Sequence, residues 1–448
     1  MADRAMLLSV ADRQTAGQAR RAVIARSAHG EWSPAADRAD PVALLTAADT
    51  GRIAALLPIR YGRMMADPFA FLRGAAPVMA ADIGPHMHSG IIVQLGGDAH
   101  LANFGAVAGL AGEALFDAND FDETIPGPFE WDLKRLATSL VVAGRVQDLS
   151  DKSCRALARR AVRAYRREIQ HLAHTAPFDA WCSRVLLDEA IENIGERDVR
   201  KRERVRLGAI VQAGWEGHRH LISRRGRWHL PERPPVIFRL GAHEAIAHAA
   251  FAAWEDSLPE ERQMLLRRYR LQDVAFKAVG VGSVGTFCAI GLYATPDGDT
   301  LLLQLKEASQ AVLARYAGPS VYTHQGQRVV VGQRLMQAEP DLFLGWTQAE
   351  GRDFYVRRLK DPHLAVIGSE IEADALPFTA RLCGHTLARA HARAGDAAMV
   401  AGYLGEGDSF DDAVAHFALL YADQTERDFG RFRAAIADGE IEAVKEDR

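Results

Sequence analysis

The apolar positions of this chain follow a helical period in its outer regions and a strand period in the middle. Leu44, Leu45, Ile53, Leu56 and Leu57 share one helical face until Pro58 interrupts it, which predicts a helix between residues 41 and 57. Ile91-Ile92-Val93-Gln94-Leu95, with its β-branched majority, predicts a short buried strand, and Leu115-Phe116 a second one. Helical spacing returns with Leu133, Leu136, Leu140 and Val141, behind Glu130 and Asp132, whose charges suit a first helical turn. Residues 150–225 read as helices starting from Ser150 as N-cap. Pro231, Pro234 and Pro235 mark a break before Val236-Ile237-Phe238, and a further helix spans about 243–268.

The middle of the chain changes period. Strands are predicted at 274–279, 286–293 and 301–306, with a turn at Pro296-Asp297-Gly298-Asp299. A helix falls within 321–338, and two further strands, at 342–346 and 354–356, flank a loop at Glu350-Gly351-Arg352. From Phe378 onward the pattern is helical again, including Val414, Phe417 and Tyr421. Residues 1–40 are rich in Ala, Arg and Asp with weak periodicity and read as a partly ordered arm. The expectation is an α+β fold: an arm at 1–40, a helical lobe in two parts at 41–270 and 358–448, and a sheet-rich lobe at 271–357 between them.

Composition narrows the class. With 448 residues, 48% apolar and 25% charged, the chain can build two or three cores. A net charge of -4 gives no general attraction to nucleic acid or a membrane surface, so neither is expected as a partner. Cys154, Cys182, Cys288 and Cys383 lie far apart, which speaks for reduced core residues rather than a disulfide framework or zinc knuckle. The N-terminus has arginines but no apolar signal segment, and no membrane-length apolar run occurs, so a cytoplasmic protein is expected. Oligomeric state stays open.

The candidate chemistry lies at 96–123, where apolar segments enclose Gly-Gly-Asp-Ala-His-Leu-Ala-Asn and then Asp-Ala-Asn-Asp-Phe-Asp-Glu. Phosphoryl transfer needs such a set: one carboxylate to orient or deprotonate a hydroxyl, and an amide oxygen with a second carboxylate as hard ligands for magnesium. The plain alternative is that Asp, Asn and Gly are simply turn residues. The spacing Gly-Asp-x-His-x-x-Asn resembles the catalytic loop of the aminoglycoside and choline phosphotransferases, in the protein-kinase-like superfamily. That resemblance implies Asp98 as catalytic base and Asn103 as metal ligand, with Asp120 as the metal carboxylate because Asp132 follows it by twelve residues. It leaves Asp117 and Asp122 as alternative or additional metal ligands. Asp132 would then hold the loop backbone in shape.

A second signal is Gly-x-Gly-x-x-Gly at 280–285, weak by itself in a chain with 38 glycines. A dinucleotide fold needs a helix after these glycines, whereas a strand follows here, and no Gly-Lys-Ser/Thr completes a Walker loop. Strand, glycine loop, strand, hairpin and a strand ending in Lys306 resembles the nucleotide-binding lobe of a protein kinase. The resemblance implies nucleotide contacts from Gly280, Gly282, Ser283, Gly285 and Lys306. It also calls for a glutamate partner to the lysine, yet no acidic residue lies between Glu307 and Glu339, and Gln327 or Gln333 stand as substitutes. Because the catalytic loop precedes the glycine loop, the fold would be a circularly permuted, two-lobed kinase-like one.

Nearly the whole chain also resembles the bacterial family called domain of unknown function 2252. The likeness runs through Asp67-Pro68-Phe69-Ala70-Phe71-Leu72-Arg73-Gly74, residues 97–105, Asn119-Asp120-Phe121-Asp122-Glu123-Thr124 and residues 384–396. The functional expectation is a kinase-like transferase that uses ATP and Mg2+ on an unidentified small-molecule or protein acceptor, by phosphoryl or nucleotidyl transfer. Two alternatives stay open. One is a nucleotide-binding pseudokinase, motivated by the missing glutamate. The other is a metal-dependent hydrolase, motivated by His86, His88, Asp98 and His100. The arginines at 60, 63 and 73, beside aromatics, either hold an anion or pair with the acidic loop.

Overall fold

The helix Phe129–Val146 is buried nearly all round, charged residues such as Asp132 and Arg135 included, and it packs against the helices Asp151–Ala173 and Ser409–Ala437. Around it the computed structural model describes residues 7–216, 222–224, 227–278, 280–359 and 371–444. The helix Asp151–Ala173 starts at its Ser150 cap, whose hydroxyl accepts the Ser153 amide at 3.3 Å. Leu376–Arg393 packs closely along it: a Cβ on Gly384 would stand 2.2 Å from the Ala161 carbonyl oxygen. The N-terminal stretch read as a partly ordered arm is tied into this lobe instead. Its helix Val10–Ala19 crosses Ala397–Leu404, Arg21 donates to the Gly402 and Tyr403 carbonyls, and His29 is fully buried against Tyr403.

Twelve strands lie among the described residues. β1 (Ile92–Leu95) pairs with β4 (Ile125–Pro128), and β2 (Phe104–Ala108) with β3 (Ala114–Ala118), both antiparallel. β5 (Ile222–Arg224) and β6 (Arg227–His229) form a hairpin whose first strand falls at the end of the stretch 150–225 expected to be helical. The remaining six are β7 (Ile237–Phe238), β8 (Arg270–Lys277), β9 (Cys288–Ala294), β10 (Thr300–Glu307), β11 (Gly345–Ala349) and β12 (Arg352–Arg358). They make one antiparallel sheet in the order β11-β12-β10-β9-β8-β7.

The helix Gly241–Ser257, read above as part of the helical lobe, packs on this sheet. Phe251 and Trp254 share a core with Phe276, Phe287, Tyr293 and Phe354. Pro259 separates it from a second helix, Glu260–Leu266, where one helix to about 268 was expected. Strand β11 begins at Gly345 because Leu344 turns back to the Asp341 carbonyl at 3.2 Å, so the strand expected at 342–346 is shifted. Val279 and residues 360–370, which the readings at 274–279 and 358–448 include, lie outside the described residues. The architecture is α+β, and no helix among the described residues is long and apolar enough to cross a membrane.

Candidate functional site

Strand β1 delivers Gly96, Gly97 and Asp98 to the boundary between the helices and the sheet. Gly97 has φ +80°, and a Cβ there would lie 2.0 Å from the Glu123 carbonyl oxygen, so only glycine fits. The Asp132 carboxylate accepts the Gly96 amide at 2.7 Å and the Gly97 amide at 3.0 Å, the support expected of it. Behind it, His391 Nε2 lies 3.3 Å from Asp132 and its Nδ1 2.9 Å from the Tyr165 hydroxyl.

Asp98 is fixed from two directions. Arg135 donates to its carboxylate at 2.7 Å and to the Leu72 carbonyl at 2.7 Å, while Asn103 Nδ2 donates to the Asp98 carbonyl at 2.7 Å. That last bond occupies the amide nitrogen of Asn103 and leaves its oxygen for a cation. Arg135 was missed in the sequence, although it follows Asp132 by one helical turn and therefore shares its face.

The acidic loop meets the sheet. Lys306, at the end of β10 and 2% exposed, donates to the Asp122 carboxylate and, at 2.8 Å, to the Ser283 hydroxyl; Asp120 lies 4.0 Å away. Tyr355, directly across the β10–β12 ladder from Lys306, donates to the other Asp122 oxygen at 2.6 Å. Burial works against the lysine's charge, but the Asp120 and Asp122 carboxylates outweigh it and raise its pKa. Arg357, two residues beyond Tyr355, donates to the Gln304 amide oxygen at 3.2 Å and the Asn119 carbonyl at 3.1 Å. On the helix Gln325–Met336, the buried Arg328 grips the loop backbone through the Asp122, Thr124 and Ser309 carbonyls at 2.5 to 2.8 Å.

The lysine's partner is thus not a glutamine. Gln333 donates to the Gln337 side chain at 2.8 Å, and Gln327 supplies its backbone amide to His324. The glycine loop is anchored to residues that precede Asp98 in the chain: Arg52 donates to the Val284 carbonyl at 2.6 Å, the Ile53 amide to Gly285 at 2.7 Å and Arg63 to Gly280 at 2.7 Å. Gly282 approaches Arg73, whose carbonyl oxygen would be 3.2 Å from a Cβ. Arg60 pairs with Asp49 at 3.2 Å rather than with the acidic loop.

Asp117 stands apart from this cluster. It lies inside β3 opposite Gly105, is 4% exposed, and accepts the Ala338 amide at 2.9 Å. β3 runs two residues beyond Phe116, so Asp117 belongs to a strand and not to the acidic loop. The histidines of the hydrolase reading do not gather either: His88 accepts the Gly90 amide at 3.1 Å and packs edge-on against Trp131. His100 is nearest to Asp98, 3.6 Å away, too far for a good hydrogen bond, and burial lowers its pKa to about 4. Glu123 accepts the Val312 amide at 2.6 Å, and burial raises its pKa to about 7. Among the described residues, no three His, Cys, Asp or Glu side chains form a set that could hold a metal by themselves. Magnesium, which usually takes one or two carboxylates and completes its shell with water and phosphate oxygens, would fit the Asn103, Asp120 and Asp122 oxygens in that way.

One protein-family model matches the chain, over residues 52–435: domain of unknown function 2252, described as an uncharacterized protein conserved in bacteria. No curated protein and no solved structure matches it.

Proposed function

The chain belongs to the family called domain of unknown function 2252, and for it we propose an ATP- and magnesium-dependent, kinase-like transferase in a circularly permuted two-lobed fold. One observation carries the reading: Lys306 of the sheet and Ser283 of the glycine loop meet Asp122 of the acidic loop across 184 and 161 residues of sequence. Two signals recognised separately thereby share one cleft. The permutation gains support from the end of the helix Leu376–Arg393, where the Ala394 carbonyl accepts the Gln94 amide of β1 at 3.3 Å. A chain joined there would run from that helix into the catalytic loop, in the ordinary kinase order.

In this reading Asp98 orients or deprotonates the acceptor hydroxyl, and Arg135 fixes the direction of its carboxylate. Lys306 exchanges the Asp122 carboxylate for nucleotide phosphates, with Gly280, Gly282, Ser283 and Gly285 covering them. Asn103, Asp120 and Asp122 supply oxygens to magnesium. Bound Mg-ATP would contribute the transferable group and the charge that neutralises it. The second reading, nucleotide binding without transfer, is favoured by one feature: the helix Gln325–Met336 offers Lys306 no carboxylate and presents Arg328 instead.

The test is a nucleotide titration of alanine variants of Asp98, Asn103, Asp117 and Asp120, at zero and saturating magnesium. Asp98→Ala and Asp117→Ala keep magnesium-dependent affinity within about threefold, whereas Asn103→Ala and Asp120→Ala lose tenfold or more. Full magnesium dependence in Asp120→Ala, with loss in Asp117→Ala, would reverse the assignment.

A further inference from the structure

Apart from backbone carbonyls that meet Arg135 and Gly282, the stretch at 67–74 has no part in the roles assigned so far, yet it lies against both the glycine loop and the surroundings of Asp98. Asp67 caps the short helix Pro68–Gly74 by accepting the Ala70 amide at 2.7 Å, and the helix leads Arg73 between two catalytic elements. On one side the Arg73 backbone meets Gly282 of the glycine loop. On the other its guanidinium lies 5.9 Å from the centre of the Phe69 ring, and Phe69 packs edge-on against His100, next to Asp98.

Arg73 differs from its neighbours in how it is used. Arg60 has Asp49 and the Gly74 carbonyl, Arg63 the Gly280 carbonyl, and Arg135 Asp98. The buried Nε of Arg60 lacks a partner as well, but Arg73 makes no hydrogen bond or ion pair through any of its nitrogens among the described residues, and the buried Nδ1 of His100, a residue only 4% exposed, has no partner either. Buried polar groups are satisfied as a rule, and an unsatisfied guanidinium nitrogen calls for an acceptor, best an oxyanion that can take its paired N–H groups. Asp98 and Asp67 are the carboxylates that chiefly oppose the burial cost of Arg73, so the cation stands in the field of Asp98.

We propose that Arg73, with His100 packed on the same Phe69 ring, forms an oxyanion subsite next to Asp98, for a phosphate or carboxylate group. This rests on the transferase reading for its role. The oxyanion is either an acid group carried by the acceptor or the terminal phosphate of the nucleotide, and the site recognises the same chemistry in both.

Calorimetric titrations of the full-length protein, Arg73→Ala and Arg73→Lys separate the sources. The first probe is inorganic phosphate added to protein saturated with Mg-AMP-PNP, whose terminal phosphate position is already filled. Saturable binding that falls tenfold or more in Arg73→Ala and is partly restored in Arg73→Lys assigns the subsite to the acceptor. The second is the affinity ratio of Mg-AMP-PNP to Mg-ADP; a ratio that collapses toward one in Arg73→Ala assigns it to the nucleotide. If Arg73→Ala, with the wild-type circular dichroism spectrum, leaves both readings within twofold of wild type, the subsite does not exist. Should neither nucleotide bind at all, the transferase reading falls, and phosphate titration of the nucleotide-free protein still decides whether Arg73 holds an oxyanion.

Discussion

Two carboxylates of the candidate site, Asp98 and Asp122, each meet a buried cation, but they do so in different ways. Asp98 and Arg135 stand 37 residues apart within one lobe, beside a backbone that Asp132 already clamps. Asp122 and Lys306 join two lobes, and Tyr355 and Ser283 share the same carboxylate. The first pair can stay closed through any relative movement of the lobes, which suits a group that must be aimed. The second would open if the sheet withdrew, which suits the proposed exchange of Lys306 from protein carboxylate to phosphate. On this account one side of the cleft is preorganised and the other is exchangeable.

The largest expected effect breaks the fixed side. Asp132→Ala leaves the Gly96 and Gly97 amides without their acceptor, a loss of about 3 kcal/mol at the usual cost of unsatisfied buried amides. Chemical denaturation of the variant should show that loss, and a change below about 0.5 kcal/mol would remove Asp132 from its supporting role.

Titration compares the two sides next. Burial leaves His100, beside Asp98, with a pKa of about 4, and Glu123, beside Asp122, with one of about 7. As pH falls from 6.5 to 4, the unfolded chain takes up a proton that folded His100 refuses, so this group's stability is lost with falling pH. Between 4.5 and 7 the folded state keeps a proton on Glu123 that the unfolded chain releases, so here stability is lost with rising pH. The slopes oppose each other from about pH 4.5 to 6.5. Glu123→Gln should therefore expose the His100 slope, losing about 3 kcal/mol from pH 6.5 to 4 at about 1.4 kcal/mol per unit. Denaturation of the metal-free protein across that range checks it, and parallel curves for wild type and variant would contradict it.

The smallest effect sharpens the exchangeable side. Gln333→Ala should leave nucleotide affinity within about twofold of wild type, since that amide serves Gln337 and not Lys306. Tyr355→Phe removes one hydrogen bond to Asp122 and should cost about 1 kcal/mol in stability. Urea denaturation and a nucleotide titration of the same samples give both numbers, and a tenfold loss of affinity in Gln333→Ala would restore that residue as the lysine's partner.

What the sequence could disclose was local. Strand β1, Asp98 on the loop after it and the three strands around the glycine loop rest on local periodicity and were legible, while the clamping role of Asp132 was what the resemblance to the phosphotransferases implied. The Lys306–Asp122 contact is set by how the two lobes dock, and no local pattern carries it. Tyr355 could have been found once β10 and β12 were paired, because it stands opposite Lys306 in the ladder. That Asp117 lies inside β3 was not legible, because an acidic residue near a turn looks the same whether the strand ends before it or runs through it. The helix Gly241–Ser257 reads as helix in either lobe; only its partner, the apolar face of the sheet, decides where it belongs.

The central claim is that Lys306 leaves Asp122 for a nucleotide. Calorimetric titration of ATP into wild type and Lys306→Ala, each with and without magnesium, tests it most directly. The account predicts saturable, magnesium-dependent binding to wild type and affinity at least tenfold weaker in a folded Lys306→Ala variant. Absence of binding to wild type in both conditions, or equal affinity in the two proteins, would contradict it.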